Sequence, residues 1–249
     1  MQINNREIHI EQHGDPIDPT IILLHHGLGS TQAWQGQIQA LTKGGYHLIL
    51  YDRWGYGKSE TRPYLAVPDF KDDLADLHEI ISMYKPDPLV LLGHSDGGSI
   101  ALYYAVKNPG NLDALIIVAA HIYLEPKMEP GIQAIQSAFE YDKGFRKGMR
   151  RIHGEKFEST FYNWYNGWHT PKTLDWDMRP SLTKIKCPVF VIQGEEDEHA
   201  TSQHAEDIAD NISSSELWLV PGARHMLPQE IPDKFNQEVL KYLERVKKQ

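Results

Sequence analysis

Ser95 lies inside Gly93-His94-Ser95-Asp96-Gly97, a G-x-S-x-G pentapeptide that ends the apolar run 89–92 and precedes a helix-like stretch. A strand that turns sharply into a helix through such a sequence holds the serine side chain up and exposed, because the glycines let the backbone fold tightly. A serine hydroxyl is a poor nucleophile at neutral pH and needs a base, and that base needs an orienting acid. In sheets of this kind chemistry collects at the C-terminal ends of strands. That restricts the search to residues just after each apolar run. Run 189–192 leads into Gly194-Glu195-Glu196-Asp197-Glu198-His199, and run 217–220 into Pro221-Gly222-Ala223-Arg224-His225. Ser95, Asp197 and His225 therefore form the candidate catalytic set, in the nucleophile–acid–histidine order that a G-x-S-x-G turn predicts. The three glutamates around Asp197 are read as a solvated charge run.

An oxyanion needs two backbone N–H donors. Asp96, directly after the nucleophile, supplies one. The loop after run 21–24, His25-His26-Gly27-Leu28-Gly29, supplies the other, with Leu28 N–H as the expected donor and Gly27 as its neighbouring alternative. His25 and His26 are expected to organise that loop by hydrogen bonds. With thirteen histidines but one cysteine, the chain shows no Cys/His cluster, and no metal or organic cofactor is expected.

The elements that must position these residues follow from periodicity. Runs 21–24, 48–51, 89–92, 115–119, 189–192 and 217–220 read as buried strands, and 8–12 as an edge strand. Stretch 70–84 places Leu74, Leu77, Ile80 and Ile81 on one helical face, and 99–107 and 232–247 read the same way. Alternating strands and helices predict an α/β fold with a mainly parallel sheet covered on both sides. Residues 122–186 break the alternation. They carry no clear strand, but Phe157, Phe161, Tyr162, Trp164, Tyr165, Trp168 and Trp176 crowd together at helical spacing. The expected organisation is a core of residues 1–121 and 187–249 with a helical cap at 122–186, in which Trp164 and Trp168 line a substrate pocket. Glu125 is expected as a second acid of that pocket.

Bulk properties narrow the partners. At 249 residues the chain can bury a large core, and a net charge of −9 disfavours nucleic acid and anionic membranes. No run approaches the ~18 apolar residues of a membrane helix. Cys187, next to Pro188 and a core strand, reads as a structural thiol. Residues 1–6 lack the layout of a signal peptide. These readings predict a cytoplasmic monomer or homodimer acting on a small molecule.

Taken together, His26-Gly27-Leu28-Gly29, Asp52-Arg53-Trp54-Gly55-Tyr56-Gly57-Lys58-Ser59, the serine elbow, Gly194-x-x-Asp197 and Gly222-x-x-His225 resemble the α/β-hydrolase superfamily. The resemblance implies the α/β-hydrolase fold and a serine hydrolase acting on a small ester, lactone, thioester or amide. Carbon–carbon bond hydrolysis or acyl transfer by the same triad is the alternative chemistry, and a ligand receptor with little turnover the alternative class. The stretch 52–59 resembles a structural turn of the family, in which Asp52 and Arg53 tie loops together. Ser95-Asp96-Gly97-Gly98 is similar to the biphenyl-hydrolase-like branch, which includes amino-acid ester hydrolases that bind an α-amino group beside the serine. An Asp96 side chain beside the oxyanion site would favour a cationic acyl group, since unit charges ~4 Å apart at an effective dielectric of ~20 interact by ~4 kcal/mol.

Overall fold

The apolar runs pair into one sheet, in which alternate side chains point to opposite faces and both faces are covered. A computed structural model describes residues 1–107 and 110–247. Strands β1 (Gln2–Ile3) and β2 (Arg6–Glu7) form a small hairpin through Asn4 and Asn5, both at positive φ. Then follow β3 (Ile10–His13), β4 (Thr20–Leu24), β5 (His47–Tyr51), β6 (Leu89–His94), β7 (Ala114–Val118), β8 (Val189–Gly194) and β9 (Ser215–Val220). Among the described residues these seven form a sheet of order β3-β5-β4-β6-β7-β8-β9. All neighbours run parallel except β3, which pairs antiparallel with β5. The edge strand expected at 8–12 is thus present at 10–13, and the hairpin before it was not anticipated.

Alternation is visible in the cores. Ile22, Leu24, Leu89 and Leu91 join one apolar cluster, while Ile21, Leu23, Val90 and Leu92 join the other. Helices α1 (Gln35–Lys43) and α11 (Pro232–Val246) cover the second face through Leu41, Phe235 and Val239. The first face takes α2 (Lys71–Tyr84) and α3 (Asp96–Val106) through Leu74, Leu77, Ile100 and Leu102. Helix α9 (Gln203–Asn211) lies on the same side, through Ala205 and Ile208. A short α10 (Leu227–Glu230) follows the loop that carries His225.

The stretch between β7 and β8 is helical, as its spacing predicts. It contains α4 (Met128–Tyr141), α5 (Lys143–His153), α6 (Phe157–Trp168) and the single turns α7 (Pro171–Leu174) and α8 (Arg179–Leu182). A lone antiparallel bridge, Tyr123 to Asp177, ties its two ends. Inside it Phe139 and Phe161 stack at 3.8 Å, both fully buried, so each ring contributes ~2–3 kcal/mol by leaving water. The crowded aromatics are therefore mainly the insertion's own core. No helix among the described residues is long and apolar enough to cross a membrane.

Chain order moves from β4 out to β5 and then back across to β6 on β4's other side. The crevice between the ends of β4 and β6 is thus a switch point, where two successive loops diverge and leave room for a ligand. The loop 25–30 and the Ser95 turn border that crevice.

Candidate active site

Ser95 sits at φ 54°, ψ −120°, a left-handed backbone that a non-glycine residue rarely takes. Its amide donates to Val118 O at 2.8 Å, and Ser99 N closes the first helical turn on Ser95 O at 3.0 Å. The flanking glycines are required by contact. A Cβ on Gly93 would lie 2.3 Å from Gly97 O, and one on Gly97 2.2 Å from Leu24 O. Glycine at 93 and 97 therefore lets α3 press against β4 and β6 beside Ser95.

His225 follows β9 and the Pro221-Gly222 turn. Its Nδ1 donates to Asp197 Oδ2 at 2.8 Å, which leaves Nε2 as the free acceptor. Asp197 is 1% exposed and fully engaged: Oδ2 also takes Gln193 Nε2 at 2.7 Å, and Oδ1 takes the amides of His199 and Ala200 at 2.8 and 3.2 Å. Burial alone would push this carboxyl up. The His225 ring, its hydrogen bond and the His199 amide outweigh that and hold it far below the carboxylate range. Lys127, from the start of the insertion, caps the same loop through Asp197 O at 2.5 Å and Ala200 O at 3.0 Å.

Ser95, Asp96, His225 and Leu28 line one cavity of about 400 Å³, whose remaining wall is largely apolar side chains of the insertion. Ser95 Oγ and the His225 ring are not hydrogen-bonded to each other. In enzymes such contacts are often long or absent before substrate binds. Leu28 is at φ 60°. Among the described residues its amide and that of Asp96 donate to no protein acceptor, so both are available near Ser95. His25 and His26 organise the loop as expected. His25 Nδ1 donates to His26 O at 2.8 Å while its Nε2 accepts Arg53 N at 3.0 Å, and His26 Nδ1 donates to Gly27 O at 2.6 Å.

The sequence reading missed what surrounds His225. His94 donates from Nε2 to His225 O at 2.9 Å, His121 stacks on the His225 ring at 6.0 Å, and His199 meets it edge-on at 4.7 Å. Burial, and then repulsion from neighbouring rings, keeps His94 and His121 well below the usual histidine range, and His199 is lowered to about 4. These rings are neutral at pH 7, so they pack around His225 without opposing its protonation. His121 stands just past β7, where the same strand-end rule that found Asp197 could have found it. Glu198 is not a merely solvated charge, as the sequence suggested. It accepts His225 N at 3.1 Å and pairs with Arg224 at 3.2 Å, which fixes the turn carrying His225. Glu195 and Glu196 are exposed, as read.

The tentative substrate residues divide. Trp164 and Trp168 line the cavity from α6, and Asp96 lines it from the elbow. Glu125 does not. Its two oxygens are taken by Thr201 N at 2.6 Å and Thr201 Oγ1 at 2.8 Å, and it faces His204 at 3.5 Å, so it ties the insertion's first residues to the loop before α9. Asp96 is in place, but it is no free charge: Arg53 Nη2 donates to its Oδ2 at 3.1 Å with both side chains buried. Asp52 and Arg53 do tie loops, Asp52 by accepting the amides of Thr31 and Lys58, both at 2.7 Å. Cys187 is partly buried and packed on the core, its thiol pushed up to about 11 by burial.

Similarity to known proteins agrees with this geometry. A serine hydrolase of Homo sapiens, BPHL, is 29% identical over 94% of this chain and 82% of its own length. A putative carbamate hydrolase, RutD, of Caulobacter sp. (strain K31) is 26% identical over 94% of both chains. Among solved structures, the enol-lactonase from Burkholderia xenovorans LB400 superposes with a TM-score of 0.79 over 98% of both chains at 19% identity. The family model for the α/β hydrolase fold matches residues 19–179, well over half the sequence, and with strand order, elbow and crevice all in agreement the chain belongs to the α/β-hydrolase fold family and is a hydrolase.

Proposed function

We propose that the protein is a serine hydrolase that cleaves a small ester, lactone, thioester or amide through an acyl-enzyme. The observation that carries this reading is the 2.8 Å contact from His225 Nδ1 to Asp197 Oδ2 at the cavity that Ser95 enters from a strained elbow. Ser95 Oγ attacks the substrate carbonyl carbon while its proton passes to His225 Nε2. The carbonyl oxygen, now an anion, is held by the N–H groups of Leu28 and Asp96. Collapse of the intermediate breaks the bond to the leaving group, which takes the proton from His225. Water then attacks the acyl carbon, His225 again taking a proton, and Ser95 is released with the acid product. Asp197, held ionised by four donors, keeps the His225 proton on Nδ1 and stabilises the imidazolium that forms.

The insertion 122–186 works as a cap: its apolar side chains exclude water and set the shape of the acyl pocket. No metal or organic cofactor takes part in these steps. The names borne by similar proteins, a serine hydrolase, a carbamate hydrolase and an enol-lactonase, agree in acyl chemistry and differ in substrate.

Labelling and turnover test the assignment together. Ser95→Ala abolishes both fluorophosphonate labelling and hydrolysis of p-nitrophenyl acyl esters, with a loss of about 10⁴-fold or more in kcat. Turnover at the wild-type rate in that variant rejects the nucleophile. In the wild type, a stoichiometric burst followed by near-zero turnover would mark a receptor rather than an enzyme.

A further inference from the structure

Helix α5 sorts its side chains by edge. Its span, Lys143–His153, holds five Lys and Arg residues and no acid, in a chain of net charge −9. At about 100° per residue, Phe145, Gly148, Met149 and Ile152 share one stripe, and all four line the cavity. Arg146 and Arg150 stand on the far side and are paired, Arg146 with Glu158 and Arg150 with Glu155. Lys143, Lys147 and Arg151 recur every fourth residue and run along the Gly148 edge of the stripe. All three are exposed, and among the described residues none of them pairs with an acid. Like charges at this spacing destabilise a helix, so the unpaired row has no structural return.

The cavity opens on that edge. Met149, Ile132 and Trp164 line it and are buried, so lining alone does not expose a residue. Gly148 and Ile152 line it and are only half-buried, which marks them as part of its mouth. Gly148 also leaves that mouth unobstructed, since a Cβ there would meet no atom within 4 Å. The other helical glycines of the insertion each have a neighbour that crowds a side chain. A Cβ would lie 2.9 Å from His199 Nδ1 at Gly131, 3.1 Å from Asp142 Oδ1 at Gly144 and 3.2 Å from Leu65 O at Gly167. A glycine inside a helix is less stable than alanine, and at 148 no packing explains it. Arg151, three residues on, is its neighbour on the helix surface, and Lys147 precedes it.

Interior and rim suit different ends of one substrate. Inside, the insertion offers apolar side chains, so an anion held there would lose its water without gaining a partner. At the rim an anion meets unpaired cations and keeps part of its hydration. We propose that the substrate carries a carboxylate or phosphate at the end of an apolar chain remote from the scissile carbonyl, and that Lys147 and Arg151 hold this anion at the mouth beside Gly148. The chain fills the cavity while the charge stays outside it. The proposal rests on the serine-hydrolase reading above.

The test is a series of monoethyl esters of straight-chain dicarboxylic acids, from succinate to suberate. Each is compared with the neutral ethyl ester of equal carbon count, and an acyl ester ending in phosphate is added at the longest length. Short monoesters should be poorer substrates than their neutral partners, because their charge falls inside the cavity. Once the anion reaches α5 the kcat/KM ratio should exceed one, rising to about threefold to tenfold at low salt, the scale of two exposed ion pairs. It should shrink towards one at about 1 M salt, where screening is strong. The anion with the higher ratio is the one the rim is built for. The double variant Lys147→Glu/Arg151→Glu should bring the ratio below one and leave neutral-ester rates and the melting profile unchanged. Gly148→Leu should slow long esters of both kinds severalfold and spare the short ones. A ratio at or below one at every length for both anions, a preference that survives the charge reversal, or long esters indifferent to Gly148→Leu overturns the proposal. Fluorophosphonate labelling of Ser95 and hydrolysis of the shortest neutral ester report on the underlying reading independently, and failure of both removes the two together.

Discussion

The strand ends and the helical insertion meet at one cavity, but they hold their side chains by different means. On the strand ends position is set by backbone: Ser95 in a left-handed turn, Gly97 against Leu24, Asp197 saturated by amides and a glutamine, His225 anchored through both its ring and its N–H. In the insertion position is set by ring packing, with Phe139 against both Phe157 and Phe161, and Trp168 against Phe70, Trp176 and His121. Hydrogen bonds fix an atom to a few tenths of an ångström, whereas apolar packing tolerates exchange of shape at similar volume. Under the proposed mechanism the first region supplies the geometry of the reaction and the second the outline of the pocket. Substitutions on the strand ends should therefore change rate, and substitutions in the insertion should change selectivity.

The sharpest break of that contrast falls on the acid. Asp197→Asn preserves size but removes the charge that stabilises the imidazolium and lets the side-chain amide favour the wrong His225 tautomer. A loss of about 10⁴-fold in kcat with an unchanged melting profile is expected. A loss below tenfold would mean that another group orients the base. Next comes Gly97→Ala, whose Cβ would meet the main chain of Leu24 at 2.2 Å. Main chain cannot swing aside as a flexible side chain does, so a destabilisation of about 3 kcal/mol or more is expected, read as a shift in the denaturant midpoint. A well-folded Gly97→Ala with full activity would show that the elbow is looser than its contacts imply.

How far the sequence carried depends on the range of the interaction. Ser95, Asp197 and His225 each announce themselves locally, by a glycine pattern or by standing just after an apolar run. The six strands and the helices at 70–84 and 232–247 appear within one or two residues of where periodicity put them. Burial on both faces leaves the five inner runs few alternatives, whereas 217–220, read as buried, belongs to the half-exposed edge strand β9, with Leu217 39% exposed. Arg53 and Asp96 are 43 residues apart. Nothing near either position signals that one will neutralise the other, and so the cation preference drawn from Asp96 alone rested on a charge that the fold cancels. Glu125 shows the same limit: an acid close to a strand end was read as pocket lining, while a threonine 76 residues on had already claimed both its oxygens. His153 is the extreme case, an insertion histidine whose partners both lie on core loops.

That histidine offers the smallest and most specific test, because a single ring bonds the insertion to two core loops at once. At the end of α5, His153 Nε2 donates to Leu28 O at 3.0 Å while Nδ1 accepts Gly57 N at 2.9 Å, so one neutral ring clamps the oxyanion loop and the turn after β5. Protonation would remove the acceptor and leave the Gly57 amide facing an N–H. Burial lowers this ring to about 4, the Leu28 bond opposing and Lys156 assisting. Unfolded, the same ring titrates near 6.5 and binds more protons than the folded form at every pH between the two values. Its contribution is therefore complete above about pH 6.5, falls as the pH drops towards 4, and changes no further below that. The slope within the window is at most about 1.4 kcal/mol per pH unit for this one group. His153→Gln cannot be protonated, so its unfolding free energy should decline less steeply from pH 6.5 to 4 than that of the wild type, by denaturant melts at matched ionic strength. Some slope persists in the variant, since His25, His94 and His121 are buried neutral as well. Identical slopes in the two proteins would mean that the His153 clamp adds nothing to the stability of the fold.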